Sequence, residues 1–222
     1  MSRFYRCKPQ VYSFQVPLHL VTHPVAQDAL TALRDASTRP SHFRRLAHRI
    51  GLVVAMEAMR DLPTTAGQVQ TPLESTTGYT VQDDVVVVAV LRAGLSLVEP
   101  VLDLLPHARV GHIGLRRDEQ TALPARYSEH LPEGMANSVV LLVDPMLATG
   151  GSAVMAVDRL KLAGATHIRL LCVVVAPEGL SVLEAAHPDV TVFTPALDRE
   201  LNSRKFILPG LGDFGDRLYG TS

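Results

Sequence analysis

This chain of 222 residues has few cysteines, no long apolar run and almost no excess of charge of one sign. The two cysteines, Cys7 and Cys172, lie far apart in the sequence, which argues against a disulfide framework and indicates reduced thiols in a cytoplasmic protein. The longest apolar runs, near 85–91 and 139–143, are much shorter than the ~20 residues that a membrane-spanning helix needs. The basic residues near the start are not followed by an apolar segment, so we expect no secretory signal.

The charge balance restricts the partners that the chain can attract. Lysine and arginine total 21 and aspartate and glutamate total 22, giving a formal net charge of -1 with both signs mixed along the chain. Such a balance argues against a broad nucleic-acid or membrane surface. Hydrophobic residues make up 47% of the chain, which is enough apolar material for the core of one α/β domain.

Apolar periodicity predicts a helical first third followed by alternating strands and helices. Helices are expected over 25–36 and 43–59, with Ser41 as the N-cap of the second, and 64–80 is expected to form a loop or an edge hairpin. The later elements are predicted in this order: strand 85–91, helix 95–105, strand 109–115, strand 138–143, helix 152–163, strand 168–176, helix 178–186 and strand 190–194. This alternation indicates a parallel sheet covered by helices on both faces, with ligands bound beyond the carboxyl ends of the strands.

The strongest chemical signal is the segment from Asp144 to Ser152, where a buried strand ends in an acid and small residues open a helix. The amides of Thr149, Gly150, Gly151 and Ser152 are expected to point into an anion, which suits a phosphate monoester. Asp144 can then hold ribose hydroxyls, directly or through Mg²⁺. No lysine follows the glycines, which excludes a Walker loop. A plain helix-capping turn is the alternative interpretation.

Two other segments are predicted at the same edge of the sheet. Arg92-Ala93-Gly94 follows the first buried strand, where a guanidinium and small residues can bring charge and backbone amides to a pyrophosphate. Arg117 follows the second strand and precedes a polar stretch, 118–124, that is expected to be mobile. Solvent-exposed arginines in turns are the alternative for both.

The C-terminal tail, residues 205–217, is rich in glycine and has apolar residues around it. This composition predicts a loop that presents main-chain donors and acceptors to a flat polar ring. A C-terminal segment that only closes the sheet is the structural alternative, and one segment can do both.

Several motifs together resemble a known family. The segment 144–152 resembles the phosphoribosyl pyrophosphate (PRPP) loop of type I phosphoribosyltransferases, and its full string, Asp-Pro-Met-Leu-Ala-Thr-Gly-Gly-Ser, is similar to that of uracil phosphoribosyltransferases. A proline after the acid, where many purine transferases have a second acid, fits the uracil group. Further matching motifs occur in order along the chain: His23-Pro24, Leu33-Arg34-Asp35, Arg60-Asp61-Leu62-Pro63, Leu91-Arg92-Ala93-Gly94-Leu95, Arg117-Asp118-Glu119, Ala176-Pro177-Glu178-Gly179 and Pro209-Gly210-Leu211-Gly212-Asp213.

The resemblance implies an α/β, type I phosphoribosyltransferase-like open parallel sheet flanked by helices. It implies a single domain, residues 1–222, with an N-terminal helical arm (1–22) and a base-binding tail (200–220). The implied reaction joins uracil to PRPP, with Mg²⁺ as cofactor, and releases UMP and pyrophosphate.

The resemblance also implies roles for individual residues. The implied catalytic residues are Arg92, Arg117, Asp144 and Asp213. The implied PRPP-binding residues are Arg92, Ala93, Gly94, Arg117, Asp144, Pro145, Met146, Leu147, Ala148, Thr149, Gly150, Gly151, Ser152 and Asp213. The implied uracil-binding residues are Phe206, Ile207, Gly212, Asp213 and Phe214. A strained peptide bond is expected between Arg92 and Ala93.

Three residues depart from the common family pattern. Arg116 and Phe206 stand where many members have tyrosine, and Phe214 stands where an alanine is common in bacterial members. Because both phenylalanines keep the pocket apolar, we expect a changed affinity and an unchanged choice of base.

Two rival functions remain open at this point. One is an RNA-binding regulator on the same fold. Its support is a modest basic cluster formed by Arg39, Arg44, Arg45 and Arg49, which a solvent-exposed helix face also explains. The other is a transferase acting on a different base, a choice that the tail decides. The family resemblance further suggests a homodimer or homotetramer, with the N-terminal arm as an interface, and GTP as an effector.

Overall fold

Thirteen strands and six helices make up the part of the chain that the computed structural model describes, which is residues 17–82, 84–117 and 124–221, with the backbone alone at 116, 117 and 124–127. The strands are β1 (Leu18–Leu20), β2 (Thr64–Gln70), β3 (Ser75–Val81), β4 (Val85–Leu91), β5 (Arg109–Arg117), β6 (Pro124–His130), β7 (Val139–Val143), β8 (Met146–Leu147), β9 (His167–Leu171), β10 (Val174–Val175), β11 (Thr191–Thr194), β12 (Glu200–Leu201) and β13 (Ile207–Leu208). The helices are α1 (Pro24–Arg34), α2 (Pro40–Ala58), α3 (Val98–Leu104), α4 (Gly151–Leu162), α5 (Pro177–Ala186) and α6 (Phe214–Tyr219).

Seven of these strands form one central sheet in the spatial order β1-β11-β9-β7-β4-β5-β6. All neighbouring pairs are parallel except β5 and β6. In the middle of the sheet Ala89 of β4 lies opposite Val143 of β7, and Leu91 lies opposite Gly114 of β5. The carboxyl ends of β4, β5 and β7 therefore meet at one edge. The predicted sheet, mostly parallel and flanked by helices, is confirmed.

Alternate residues of β4 bury against opposite layers of helices. Val85, Val87 and Ala89 belong to a core cluster with residues of α1, α2, α3 and α6. The intervening Val86, Val88 and Val90 pack in a second cluster with residues of α4 and α5. Both faces of the strand are thus apolar, which explains its continuous β-branched sequence. Within the described ranges, no helix combines the length and apolar character needed to cross a bilayer.

The predicted start of the second helix is wrong. α2 begins at Pro40, and Arg39, not Ser41, occupies the N-cap position, where its side chain makes no capping hydrogen bond. Proline suits the first helical position because its φ is already helical and its missing amide would have had no helical partner. This preference outweighs the capping ability of the serine one residue later.

Short and polar strands were missed at both edges of the central sheet. β1 occupies part of the expected N-terminal helical arm and pairs with β11, from Leu18 opposite Val192 to Leu20 opposite Thr194. Three residues are too few to show a period, so the sequence carries no strand signal there. β6 is polar and pairs antiparallel with β5, so the sheet is not wholly parallel. Between β2 and β3, antiparallel pairing from Thr64 opposite Val81 makes the hairpin that was one of two predicted alternatives.

The predicted strand 168–176 is interrupted in the structure. β9 ends at Leu171, and Val174–Val175 leaves the central sheet to pair with β8 as β10. All residues of the apolar run from 170 to 176 are buried, so hydrophobicity alone could not mark where pairing changes partner.

The C-terminal helix docks on α2 through two aromatic rings. Phe43 and Phe214 are buried, with ring centroids 5.0 Å apart and planes inclined by 72°. The guanidinium carbon of Arg217 lies 4.7 Å from the centroid of the Phe43 ring. An edge-to-face aromatic pair adds to the free energy gained from burial, so Phe43 stabilises the attachment of the tail.

We expect Phe43→Ala to lower the free energy of unfolding by about 3–5 kcal/mol, because the substitution leaves a cavity beneath α6. Phe206→Ala is the matched control. That ring is 45% exposed, and its loss should cost about 1 kcal/mol or less. Urea unfolding followed by circular dichroism measures both, and equal losses would contradict the assigned role of Phe43.

Candidate functional site

The loop between β7 and α4 leaves several amides free for an anion. Gly150 occupies the N-cap position with φ of 84°, and the first helical bond runs from the amide of Val154 to the carbonyl of Gly150, at 2.9 Å. The amides of Gly151, Ser152 and Ala153 therefore have no acceptor within the helix. A helix start of this kind attracts negative charge through its free N–H groups and its dipole.

The chain that leaves β9 supports this loop from the side. The carbonyl of Pro145 accepts hydrogen bonds from the amides of Val173 and Val174, at 2.9 and 3.1 Å. One step further on, the amide of Ala176 donates to the carbonyl of Leu147, at 2.9 Å. The β8–β10 pairing thus fixes the backbone of the loop before it reaches Thr149.

The segment after β4 packs directly on the end of β7. Gly94 is buried, and a Cβ atom there would collide with the carbonyl oxygen of Val143, the residue before Asp144. The peptide between Leu91 and Arg92 is cis, so the unusual bond lies one residue before the Arg92–Ala93 bond expected from the resemblance. Arg92 itself is exposed at the same edge of the sheet as Asp144.

A partly buried ion pair holds the first half of the tail. Both terminal nitrogens of Arg34 donate to the carboxylate of Asp198, at 2.8 and 2.6 Å, and one also donates to the carbonyl of Gly210. The same carboxylate accepts the amide of Gly210 at 2.8 Å. Asp198 is buried, so these charge-assisted bonds form largely out of water. The turn at Pro209–Gly210 is thereby tied to the end of α1.

A second arginine and a tyrosine attach the rest of the tail. Arg217 donates to the carbonyls of Leu33, Leu211 and Asp35 at 2.5–2.7 Å. The hydroxyl of Tyr219 donates to the carbonyl of Arg92 at 3.2 Å, and the Arg92 guanidinium lies 6.0 Å from the centre of that ring. The tail is therefore connected to the Arg92 segment as well as to α1.

Residues of the predicted phosphate loop (144–152) and of the predicted base-binding tail line one cleft. Its volume is about 350 Å³. Its lining is drawn from the end of β5, the 144–152 loop, the loop before β13 and the start of α6. The lining residues are Leu115, Met146, Ala148, Thr149, Gly151, Ser152, Arg204, Lys205, Phe206, Ile207, Gly212, Asp213 and Phe214. The structure thus brings together two segments that lie more than fifty residues apart in the chain.

Some predicted site residues lie beside the cleft or carry a structural contact. Asp144, Pro145, Leu147 and Gly150 belong to the 144–152 loop without lining the cleft, and none of the predicted residues Arg92, Ala93 and Gly94, which follow β4, lines it. Asp213 caps α6, accepting the amide of Asp216 at 2.9 Å, and the ring of Phe214 packs in the core. Arg117 ends β5, but its side chain and residues 118–123 lie outside the described part of the chain.

Three cleft residues were given no site role from the sequence: Leu115, Arg204 and Lys205. Both cations lie within the predicted tail (200–220), and adjacent basic residues beside a predicted anion site were the available signal.

Asp144 has a strongly shifted pKa at the edge of the sheet where β4 and β7 end. Removal of the carboxyl from water raises its pKa to about 7, and the bond from the amide of Met146, at 3.4 Å, only partly opposes the rise. Burial, together with the nearby charge of Asp144, also raises the pKa of the Cys172 thiol well above its ordinary value. Cys172 is a free, buried thiol, as the apolar run around it predicted. Near neutral pH a ligand that donates hydrogen bonds, or carries positive charge, can shift Asp144 towards its carboxylate form.

A sugar phosphate suits an acid-tipped strand followed by an anion loop, and on this sheet that combination is typical of type I phosphoribosyltransferases. Residues 20–221 match the family described as uracil phosphoribosyltransferase. The chain belongs to this family.

Individual relatives agree with the family match. Uracil phosphoribosyltransferases from Streptococcus sanguinis and Dictyoglomus turgidum are 46% and 47% identical over 205 and 203 residues. The aligned regions cover 92% and 91% of this chain and 98% of each relative. A solved structure of a protein from Aquifex aeolicus is 32% identical, with a TM-score of 0.87 over 92% of this chain and 99% of its own. The similarity therefore extends over nearly the whole described fold.

We expect Gly150→Ala to destabilise the loop through both strain and collision. A Cβ there would lie 2.7 Å from the carbonyl oxygen of Gly179 and 2.9 Å from the Cβ of Val182. Gly164→Ala is a matched control, because Gly164 also has a positive φ, 93°, while a Cβ there meets no described atom within 4 Å. The control should lose about 1–2 kcal/mol of unfolding free energy from strain, and Gly150→Ala about 1–3 kcal/mol more. Urea unfolding measures both variants. Equal losses of unfolding free energy would contradict the expected collision with Gly179 and Val182 of α5.

We expect Asp144→Asn to remove a pH dependence of stability. The folded pKa of about 7 exceeds the ordinary value of 3.8, so ionisation of Asp144 opposes folding. Below pH 3.8 Asp144 is protonated in both the folded and the unfolded protein, so it does not affect the free energy of unfolding. Above pH 7 it is ionised in both states, and the whole cost of ionising it in the folded protein lowers that free energy. Relative to the variant, the wild type should lose about 1–3 kcal/mol between these limits, since one pKa unit is worth about 1.4 kcal/mol and solvent reaches part of the residue. Urea unfolding without ligands from pH 5 to pH 8 measures this, and parallel curves would contradict it.

Proposed function

We propose that this chain transfers the phosphoribosyl group of PRPP to N1 of uracil, forming UMP and pyrophosphate. The observation that carries the proposal is the single cleft shared by the anion loop and the tail. In this reaction the N1–C1′ bond forms as the bond from C1′ to the pyrophosphate oxygen breaks, and the N1 proton of uracil is released to the pyrophosphate or to water. A site that places phosphate and base on opposite walls of one cleft supports this displacement by positioning both reactants.

The sugar phosphate is assigned to the loop between β7 and α4. The amides from Thr149 to Ser152 bind the 5′-phosphate, and Asp144 accepts hydrogen bonds from the ribose hydroxyls. Arg92 and Arg117 stabilise the charge that grows on the departing pyrophosphate, with backbone support from Ala93 and Gly94. Pro145, Met146, Leu147 and Ala148 give this loop its shape. No covalent intermediate is needed.

Uracil is assigned to the tail. Main-chain groups of Ile207 and Gly212 can pair with the carbonyl and N–H groups of the base, while Phe206 offers an exposed ring at the cleft wall. The ring of Phe214 is engaged with Phe43, so Phe214 contributes through its backbone. Asp213 combines its cap on α6 with a contact to PRPP, because it is exposed at the cleft.

Mg²⁺ is the proposed cofactor, and the donors present suit an ion that arrives with the substrate. Within the described residues, no three His, Cys, Asp or Glu side chains come together as a metal cage. Asp144 offers one carboxylate, and Mg²⁺ commonly binds through one or two carboxylates, substrate phosphates and retained waters. When bound, Mg²⁺ supplies charge neutralisation for the pyrophosphate. Asp144 orients the ribose, and the loop amides hold the phosphate.

The contacts of the α2 arginines weaken the case for the RNA-binding alternative. Arg44 donates to the carbonyl of Leu218 at 2.8 Å, and Arg49 pairs with Asp28 at 3.1 Å. Two members of the basic cluster are thus engaged within the protein. A homodimer or homotetramer and GTP as an effector stay predictions based on the family resemblance, and a cytoplasmic location stays a prediction based on the cysteine content and the short apolar runs.

The first test is product formation from purified protein, Mg²⁺, PRPP and each of uracil, cytosine, hypoxanthine, adenine and orotate. We expect UMP from uracil and no nucleotide from the other bases, since the tail complements the hydrogen-bonding groups of one base. Chromatography of the products, with pyrophosphate measured in parallel, decides the outcome. Product from another base would overturn the substrate assignment while leaving the phosphate loop in place. Absence of product from every base, with UMP still bound, would favour the regulatory alternative.

A further inference from the structure

Arg204 and Lys205 place two positive charges on the wall of the cleft, which also contains the anion loop. Both side chains are exposed, and they precede Phe206 and Ile207 of the base-binding tail. The described lining of the cleft includes one acidic residue, Asp213. The described part of the cleft is therefore positively charged where the residues just before Phe206 line it.

The turn that carries these cations is ordered by Asn202. The side-chain oxygen of Asn202 accepts the amides of Arg204 and Phe206, at 2.9 and 3.0 Å. Its backbone accepts the amide of Lys205 at 2.9 Å and donates to the carbonyl of Phe206 at 2.8 Å. Lys205 has φ of 66°, a left-handed conformation that non-glycine residues adopt at a cost. The turn is thus fixed before any ligand binds.

The two cations also differ from most other basic residues in having no internal partner. Eight basic side chains pair with carboxylates: Arg34, Arg49, Arg60, Arg109, Arg159, Lys161, Arg169 and Arg199. Arg44 and Arg217 donate to main-chain carbonyls. Arg204 and Lys205 have neither kind of contact to the residues that the structure describes. Their charge is available to a ligand.

We propose that the Arg204–Lys205 turn is a binding element for the phosphate-bearing ligands of the cleft. It attracts PRPP and UMP by charge and holds them on the side of the cleft that faces α4. This inference rests on the proposed function and extends it, since neither residue follows from the family motifs in the sequence.

The expected contribution is electrostatic. Two cations in a concave site raise the local concentration of a polyanion and speed its association, and salt screens the effect. A neutral substrate such as uracil gains nothing from them. The turn should therefore affect the KM for PRPP and the Kd for UMP, with little effect on the KM for uracil or on kcat.

The test compares the wild type with the double variant Arg204→Gln/Lys205→Gln in steady-state kinetics and UMP calorimetry. At about 50 mM salt we expect the KM for PRPP and the Kd for UMP to rise about tenfold, with the difference shrinking at about 300 mM. The KM for uracil at saturating PRPP should change less than about twofold. Arg204→Lys/Lys205→Arg keeps both charges and should stay close to the wild type.

Arg199→Gln provides a control outside the cleft, because Arg199 pairs with Glu200 at 3.0 Å on the exposed surface. It should change none of these constants. Equal PRPP and UMP constants in the wild type and the double variant would overturn the proposal, as would an effect that does not depend on salt. A wild type that forms no UMP would overturn the proposed function instead, while UMP calorimetry would still test the turn.

Discussion

The parallel pairing of β4 with β7 is the constraint on which the rest of the site depends. It places Ala89 opposite Val143 and sends both strands to the same edge of the sheet, so the Arg92 segment and Asp144 emerge side by side. The close approach of Gly94 to the Val143 carbonyl leaves no room for a side chain there. The two loops are consequently one rigid unit, and their relative position follows from the sheet.

The tail is attached to the end of α1 through charged groups and to the Arg92 segment through the hydroxyl of Tyr219, without a strand in the central sheet. In the pair of Arg34 and Asp198 the carboxylate is buried and the guanidinium is partly exposed, and removal of a charge from water can cost as much as the attraction returns. Their value lies in geometry, because both charged groups also bond Gly210 and so fix the turn that leads into the base-binding residues. Loss of Arg34 would leave the buried carboxylate of Asp198 without its counter-charge, and loss of either residue would remove one of the bonds that hold the turn. Specific placement, rather than net stability, is what this pair supplies.

Much of the fold and part of the candidate site could be predicted from the sequence, for identifiable physical reasons. The strand over 85–91 and the loop over 144–152 carry local signals, a buried β-branched run and an acid followed by glycines. The edge strands β1 and β6 lacked such signals, because the first is short and the second is polar. The cations at 204 and 205 could not be assigned to the cleft either, since their position depends on a turn whose conformation is set by Asn202. The engagement of the Phe214 ring with Phe43 joins residues far apart in the chain, which no local pattern reveals.

The segments to which we assign the sugar phosphate and the base lie far apart in the chain and meet at one cleft. In the proposed assignment, the loop from Asp144 to Ser152 binds features common to any phosphoribosyl donor, so it says little about the acceptor base. The tail, to which the acceptor is assigned, attaches to the scaffold through Arg34, Arg217 and the bond from Tyr219 to the Arg92 carbonyl. Those attachments use side chains outside the base-facing surface. Base choice can therefore vary with the residues at the cleft while the anchors, and with them the distance between sugar and base, stay unchanged.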